Sequence, residues 1–279
     1  MTAEIDQVVD RAPAARPARA QVRGLLGRLL RTVDLLRSLT EADLRFRYGR
    51  GPSRFARWLL EPFALVGIYL LLITFVLDRP GQAPGLSLAA VIVPFQFVIS
   101  TVGNAMDAVD IRRPILLNMA FERNLIPISS ALTECASFAG SFSIIAVMMA
   151  SYGVAPTLAF LWLPLVVLVN FYLAVAASYA ASLLGLWLRE FKPFLLSFVR
   201  ALFFLSPGLV PLSETSPHVR SLLRLNPLTG LFESYRDVFL FGHAPSAWQL
   251  LYPIAIASGV LTFFLPLYRT EQRQFAKVV

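Results

Sequence analysis

The chain has 279 residues, of which 57% are hydrophobic and 15% are charged, whereas a soluble domain usually carries about 25% charged residues. The apolar residues form long runs almost without charge, which excludes an ordinary soluble domain and is typical of a chain that spans a lipid bilayer. The net charge of +8 does not indicate nucleic-acid binding, because 12 of the 25 basic residues precede Trp58, beside the first apolar run, where they hold a chain to anionic lipid.

The segment before the first apolar run divides into two parts. Residues 1–21 are polar and lack the apolar core of a signal peptide, so we expect a disordered extension there. From Val22 to Leu39 apolar residues recur every three or four positions, with arginines on the opposite side. This pattern predicts an amphipathic helix on the cytoplasmic membrane surface, within an interface segment at 22–57. A soluble helix packed on a partner protein is the alternative.

Six apolar runs are long enough to cross a bilayer, since a spanning helix needs about 20 mostly apolar residues. They cover residues 58–77, 86–106, 126–149, 157–188, 193–212 and 248–268. The fourth run is longer than one straight crossing needs, and Ser206, Pro207, Gly208 and Pro211 interrupt the fifth. We therefore expect an all-α integral membrane protein with a six-span domain at 58–273 and a cytoplasmic tail at 274–279.

The basic residues of the loops predict the orientation of these spans. If the N-terminus is cytoplasmic, 20 of the 25 lysines and arginines lie inside, four lie outside and Arg200 lies within a span. The positive-inside rule therefore places both termini in the cytoplasm, which agrees with an even number of spans.

The external segment from Ser216 to Phe241 is too polar to cross the bilayer and too apolar for an ordinary loop. Ser216 followed by a proline predicts a helix N-cap, and Asn226-Pro227 predicts a break before a second helix. We expect two short amphipathic helices that dip back toward the bilayer. Their Glu233 and Arg236 are three residues apart and are predicted to pair on an exposed face.

Two ionisable residues fall inside apolar runs. Glu134 and Arg200 should both lie roughly 10–12 Å from the cytoplasmic face, at about 1.5 Å per helical residue. An isolated arginine at that depth costs about 2.5–3.5 kcal/mol, which a facing carboxylate would offset. The matching depths predict an ion pair within one subunit or between two. Snorkelling of Arg200 to the headgroups and protonation of Glu134 are the alternatives.

The chain carries few of the residue patterns that catalysis requires. It has no phosphate-binding loop with a Lys-Ser/Thr pair and no nucleophile elbow, so we expect neither ATP hydrolysis nor another enzymatic activity. His218 and His243 have no paired metal spacing, and the single Cys135 forms neither an internal disulfide nor a multi-cysteine metal site. We therefore expect no catalytic residue, metal or cofactor in this chain.

Several motifs in the right order resemble one transporter family. Arg-Phe-Arg-Tyr-Gly-Arg at 45–50, Trp58 and Leu-Leu-Glu-Pro at 59–62 resemble the start of the first span in type-2 ABC exporter permeases. The loop at 111–132, the Phe-Phe-Leu-Ser-Pro-Gly at 203–208, the Leu-Asn-Pro-Leu at 225–228 and the exit at Tyr268-Arg269 match later motifs of that family. The resemblance is strongest to the permeases that export capsular polysaccharide, O-antigen or teichoic acid.

The resemblance implies a homodimeric transport subunit in the inner membrane, surrounded by membrane lipids. Two copies of a separate ATPase would bind ATP and Mg below it, a lipid-linked glycan would pass outward between the two permeases, and periplasmic export partners would receive it.

Three further sets of residues follow from the family. Those of the interface and the start of the first span are Arg45, Arg47, Tyr48, Arg50, Trp58, Glu61 and Pro62. Those expected to couple to the ATPase are Asp107, Arg112, Arg113, Leu116, Leu117, Met119, Phe121, Glu122 and Arg123. Those of an external gate are Ser206, Pro207, Asn226, Pro227, Phe232, Glu233 and Arg236.

Three alternatives remain open at this stage. An exporter of the same fold for a small lipophile, drug or lipid would have a narrow aliphatic pathway, whereas a glycan exporter would have a wide one lined by aromatic side chains. A membrane-bound transferase would need a cluster of acidic residues or histidines at one membrane face. A purely structural membrane protein is the last alternative.

Overall fold

The computed structural model describes residues 18–48, 53–76, 83–112 and 123–271, and these residues form helices without a strand. The helices are α1 (Ala18–Tyr48), α2 (Ser53–Leu71), α3 (Pro84–Ile111), α4 (Leu125–Tyr152), α5 (Leu163–Trp187), α6 (Lys192–Phe204), α7 (Pro217–Leu223), α8 (Pro227–Arg236) and α9 (Ala247–Glu271). Among the short turns, Leu72–Val76 continues α2, Leu158–Trp162 precedes α5 and Asp237–Phe241 continues α8. The expected all-helical fold is confirmed for these residues.

Four helical stretches are long and apolar enough to cross a membrane, namely Pro84–Ile111, Leu125–Tyr152, Leu158–Trp187 and Ala247–Glu271. They coincide with the second, third, fourth and sixth predicted spans. At 25 to 30 residues each, they exceed the roughly 20 residues that one crossing of the hydrocarbon core requires.

The first and fifth predicted spans are not among these four helices. Helix α2 and its π turn cover residues 53–76, close to the predicted 58–77. In the fifth, the helix ends at Phe204 after 13 residues, or about 20 Å, which is shorter than a hydrocarbon core of about 30 Å. Residues 205–210 form turns and bends, because Pro207 and the following Pro211 have no amide hydrogen to continue the helix. Six complete spans therefore stay a prediction.

Local sequence signals explain where most helices begin and end. Proline stands at the first or second position of five of them, at Pro84, Pro164, Pro193, Pro217 and Pro227. The side chain of Ser216 makes no capping hydrogen bond to α7, whereas Asn226 accepts one from the Leu228 amide at 3.0 Å and caps α8. Gly153 and Gly242 end α4 and the second π turn with positive φ angles of 65° and 68°.

The N-terminal helix α1 extends the predicted amphipathic segment by several residues at its C-terminal end. It packs along α4, where Leu39 is buried, while Leu30 and Val33 remain exposed on another side. An apolar strip of this kind on a surface helix fits the predicted position at the membrane surface. Residues 1–17 and 272–279, which carry the predicted extension and tail, lie outside the described part of the chain.

Helix α3 is the centre of the bundle. It packs against α2, α4, α5, α6 and α8, and most of its apolar side chains are fully buried. Its closest neighbour is α5, because Gly185 brings the two backbones together. A Cβ atom at Gly185 would lie 2.6 Å from the Met106 carbonyl oxygen and 2.8 Å from the Met106 Cα atom.

Substitution of Gly185 by alanine should therefore separate α3 from α5. Overpacking of this kind costs about 1–3 kcal/mol, and we expect a lower midpoint of thermal unfolding in detergent. Gly259→Ala is the matched control, because Gly259 also lies within a helix and an added Cβ atom there has no neighbour within 4 Å. An equal midpoint for Gly185→Ala and wild type would contradict the close packing.

Candidate functional site

The exposed positions of the central helix form one polar stripe. Between residues 85 and 109, every residue of α3 is buried except Gln96, Ser100, Gly103, Asn104 and Asp107. Their spacing of three or four residues places them on one face of the helix. Polar groups within membrane helices almost always face a bundle interior or a water-filled cavity. The stripe therefore indicates a polar surface at the depth of the membrane.

A cavity of about 410 Å³ lies along this stripe, between α2, α3 and α6. Its lining residues are Gln96, Ser100, Gly103, Asn104, Phe95, Ile92 and Ile99 of α3, Leu65 and Tyr69 of α2, and Leu196, Arg200 and Phe203 of α6. We call this cavity the groove. Its lining combines amide, hydroxyl and guanidinium groups with three aromatic rings, which suits a ligand with both polar groups and flat apolar faces.

An aromatic cluster closes the end of the groove that lies toward the external helices. The ring of Phe203 lies 5.8 Å from that of Tyr69, 4.7 Å from Phe95 and 5.9 Å from Phe232, measured between centroids. These rings come from four different helices, and Phe232 is fully buried. Offset and edge-to-face contacts at such distances are favourable. The cluster therefore joins α8 of the external segment to the walls of the groove.

Above the aromatic cluster, a buried arginine binds the irregular segment that follows α6. The guanidinium of Arg236 donates to the carbonyl oxygens of Pro207 at 2.6 Å and Gly208 at 3.1 Å, to the Ser87 hydroxyl and to the Glu233 carboxylate at 2.8 Å. Glu233 also accepts a hydrogen bond from the Leu212 amide. The pair predicted from the spacing is thus present, but the prediction that it is exposed was wrong, because Arg236 is fully buried.

The asparagine of the external segment makes a second connection to α6. The side-chain amide of Asn226 donates to the carbonyl oxygens of Leu202 at 2.6 Å and Leu205 at 3.1 Å, which have lost their helical partners. Ser206 donates to the Phe203 carbonyl in the same turn. The structure therefore brings the predicted gate residues together around the end of α6, with Pro227 at the start of α8 beside them.

The end of the groove that is predicted to face the cytoplasm carries a cluster of charged residues. The Lys192 ammonium, at the start of α6, lies 2.9 Å from Asp107 and 3.0 Å from Asp110 on α3, and Arg189 pairs with Asp110. Partial burial works to lower the pKa of Lys192, but its hydrogen bonds to both carboxylates raise it above the ordinary value. Asp107, which was predicted to meet an ATPase, is thus engaged within the chain and joins α3 to α6.

A second ion pair joins the N-terminal helix to the end of α3. Arg112 is buried, binds the Asp43 carboxylate of α1 and donates to the Ile126 carbonyl at the start of α4. Thr133 of α4 also donates to Asp43 at 3.3 Å. Arg112 belongs to the predicted coupling segment, so α1 is attached directly to that segment.

Several predicted site residues lie outside the part of the chain that the structure describes. They are Arg50, Arg113, Leu116, Leu117, Met119, Phe121 and Glu122, together with the side chains of Arg47, Tyr48, Trp58, Glu61 and Pro62. Of the others in these two sets, Arg45 makes an exposed ion pair with Glu41 at 3.7 Å, and the Arg123 carbonyl accepts a hydrogen bond from Tyr268.

Within the chain, Glu134 and Arg200 do not form the predicted ion pair. Glu134 is buried and accepts a hydrogen bond from Asn104, whereas Arg200 is exposed and lines the groove. Asn104 stands between them, since it belongs to the stripe and also contacts Glu134. A pair between two copies of the chain stays a prediction.

Two features of the site were not predicted from the sequence. Gln96, Ser100 and Asn104 stand four residues apart inside an apolar run, and this spacing was a readable signal for a polar face. The contacts of Asp43 and Lys192 had no such signal, because their partners are 69 and 85 residues away along the chain.

Arg236→Met should destabilise the protein strongly. The substitution leaves the Glu233 carboxylate buried without its guanidinium, and loss of one partner of a buried pair costs about 3–5 kcal/mol. We expect a large fall in the thermal unfolding midpoint in detergent. Arg224→Met is the control, because the Arg224 guanidinium only covers the Trp248 ring, 5.2 Å from its centroid, and an exposed contact of this kind contributes about 0.5–1 kcal/mol. Equal midpoints for the two variants would contradict a stabilising role for Arg236.

Asp43→Asn should weaken the attachment of α1. Arg112 would keep a hydrogen-bonding partner but lose the negative charge, and we expect a loss of about 1–3 kcal/mol. Glu41→Gln is the control in the same helix, since the Glu41 pairs with Arg37 and Arg45 are exposed and contribute less than about 1 kcal/mol. The measurement is the unfolding midpoint together with the rate of trypsin cleavage within α1. Equal effects of the two substitutions would contradict the proposed attachment.

Comparison with known proteins finds similar chains among transport proteins. No protein-family model matches it. An O-antigen export system permease protein RfbA of Myxococcus xanthus is 26% identical over 247 residues, which cover 88% of this chain and 95% of the relative. Two RfbA permeases of Klebsiella pneumoniae are 25% and 24% identical, over 75% and 88% of this chain and 81% and 95% of the relatives. These matches confirm the resemblance to type-2 ABC exporter permeases that the sequence motifs indicated.

Proposed function

We propose that this chain is the transmembrane permease subunit of an ABC transporter that exports a lipid-linked polysaccharide, such as O-antigen or capsule, across the cytoplasmic membrane. The observation that carries this proposal is the polar stripe on α3, which lines a cavity inside an otherwise apolar bundle. The similarity to O-antigen export permeases over most of the chain supplies the class of substrate. A separate ATPase subunit supplies the energy.

The groove is one wall of the transport pathway. From Gln96 to Asp107 the stripe covers 12 residues, or about 16 Å of helix from the first to the last, which reaches through half of the membrane core. Amide and hydroxyl groups hydrogen-bond sugar hydroxyls, while the rings of Tyr69, Phe95 and Phe203 stack on the flat faces of sugars. A second copy of the chain, facing the first, completes the pathway.

The aromatic content of the groove favours a glycan over a small lipophile. A pathway for a drug or lipid would be lined by aliphatic side chains. The groove instead places three aromatic side chains and four polar ones beside its aliphatic residues. A transferase is disfavoured for a different reason, since no group of acidic residues, histidines or cysteines in the described part of the chain is arranged to hold a metal.

Coupling to the ATPase passes through the first part of the predicted coupling segment, which runs from Asp107 to Arg123. Its Arg112 binds α1 through Asp43. One helical turn earlier, Asp107 and Asp110 bind Lys192 of α6. A displacement of the coupling segment therefore acts directly on α1 and on α6, and α6 forms a wall of the groove.

The external helices serve as the outer gate of the pathway. Phe232 contributes a ring to the aromatic cluster at the end of the groove, and Arg236 and Asn226 hold the segment after α6 in place. Opening the path outward requires these rings to separate. Charge-assisted hydrogen bonds to the backbone keep the gate closed until α6 moves.

Export in cells tests the proposed function. The gene is deleted in its own host, and surface glycan is measured with the wild type or a variant restored. We expect deletion to abolish surface glycan and to leave it inside the cell. Ser100→Leu, which fills the polar stripe with an apolar side chain, should reduce export at least about tenfold, since a buried polar ligand that loses a hydrogen-bonding partner is strongly disfavoured.

The matched control for Ser100→Leu is Ser143→Leu. Ser143 also lies in a membrane helix, but it is exposed on α4 and donates only within its own helix, to Gly140. This variant should export like the wild type at equal protein level. Normal surface glycan in the deletion strain would refute the proposed function, and equal export by the two variants would remove the stripe from the pathway.

A further inference from the structure

Arg200 is the only basic residue among the described residues that line the groove. It follows Lys192 on α6 by eight residues, which places it about 12 Å from the cytoplasmic charge cluster. Its side chain is exposed within the chain, so the guanidinium reaches the groove and is not packed in the bundle. The chain thus holds a permanent positive charge at the depth of the membrane.

The acidic residues near this position are engaged elsewhere. Among the described residues that line the groove, none carries a carboxylate. Glu134 lies on the other side of Asn104, buried and accepting its hydrogen bond, while Asp107 and Asp110 bind Lys192. Among the described residues, no carboxylate forms an ion pair with Arg200. Among the described residues, the guanidinium therefore has no acidic partner, and an anion from outside the chain can take that place.

The neighbours of Arg200 in the groove are suited to a phosphate group. Asn104, Gln96, Ser100 and Tyr69 carry amide or hydroxyl groups that can donate hydrogen bonds, and they line the same cavity. A guanidinium binds phosphate through two parallel hydrogen bonds, a geometry that an ammonium group does not offer. The combination of one arginine with several neutral donors fits a compact anion better than an uncharged sugar.

The outer faces of the helices beside the groove suit an attached lipid chain. On α6, Phe194 and Phe198 are exposed, and on α2, Ile68 and Leu71 are exposed. These apolar faces border the cavity on both sides, because α2 and α6 form its walls. A hydrocarbon tail can therefore lie along them in the bilayer while a head group enters the groove.

We propose that Arg200 and the polar stripe bind the phosphate group that joins the exported glycan to its lipid anchor. This inference rests on the proposed function and assigns one part of the substrate to one part of the groove. The phosphate supplies a counter-charge for Arg200, which no described carboxylate provides. It holds the anchor about 12 Å from the cytoplasmic charge cluster, while the sugars extend along the stripe.

Direct binding measurements test this assignment independently of export. The full-length protein, purified in a neutral detergent, is titrated with a long-chain alkyl phosphate, with the matched alkyl alcohol and with phosphatidylglycerol, and bound lipid is counted by native mass spectrometry. We expect the alkyl phosphate to bind at least about tenfold more tightly than the alcohol, because charge-assisted hydrogen bonds are the strong ones. Phosphatidylglycerol should bind more weakly than the alkyl phosphate.

Three variants locate the site. Arg200→Gln should weaken alkyl phosphate binding about tenfold to a hundredfold and leave alcohol binding unchanged, whereas Arg200→Lys should recover part of the loss. Arg224→Gln, which removes an external arginine, should bind like the wild type. The elution volume of each variant in size-exclusion chromatography verifies that it is folded.

Three results would overturn the assignment. One is unchanged phosphate binding by Arg200→Gln, and another is equal, Arg200-dependent binding of phosphatidylglycerol, which would make bulk lipid the ligand. The third is restored export when Glu134→Arg is combined with Arg200→Glu, since the partner of Arg200 would then be a carboxylate of a second copy. None of these results alters the outcome of the gene deletion, so the proposed function can stand if this site fails.

Discussion

The structure depends on hydrogen bonds to the backbone groups that are left without helical partners where α6 ends, in a region with little water. After Phe204 the chain leaves the helix within a membrane protein, and each free carbonyl or amide there needs a partner, since lipid offers none. Side chains of the external segment supply these partners. Arg236 donates to Pro207 and Gly208, Asn226 donates to Leu202 and Leu205, and Glu233 accepts from the Leu212 amide. The short α6 and the external helices are therefore one interdependent unit.

The same requirement, that polar groups within the membrane be kept away from lipid, explains why the groove lies beside α3. Close packing against α5 at Gly185 and against α4 on another side buries the apolar surface of α3. Only the side toward α2 and α6 stays open, and there the sequence places amide and hydroxyl groups in place of leucine or valine. A helix that is buried on every other face can carry a polar stripe without exposing it to lipid tails. The central position of α3 is thus what allows the groove to have a polar lining.

The sequence predicted those parts of the fold that depend on local patterns. The length of the apolar runs predicted four helices that are long enough to cross a membrane, and the Asn226-Pro227 pair predicted the start of α8. The exposed character assigned to Glu233 and Arg236 was wrong, because helical spacing shows which residues share a face but not what covers that face. The fifth span was predicted at 193–212 with an interruption that begins at Ser206, and the helix ends just before it, at Phe204. The attachments of Asp43 and Lys192 depend on contacts between distant segments, which no local pattern contains.

Helix α6 is the element on which these contacts converge. Phe203 is its only buried residue, so apolar packing holds it weakly along its length. Polar contacts hold it firmly at its ends, through Lys192 below and through Asn226 above. A segment with few buried contacts is among the first to move. Lys192 joins α6 to α3 at one end of the groove, and Phe203 joins α6 to the aromatic cluster at the other end. The helix that holds Arg200 beside the groove is thus also the helix that connects the two ends of the groove.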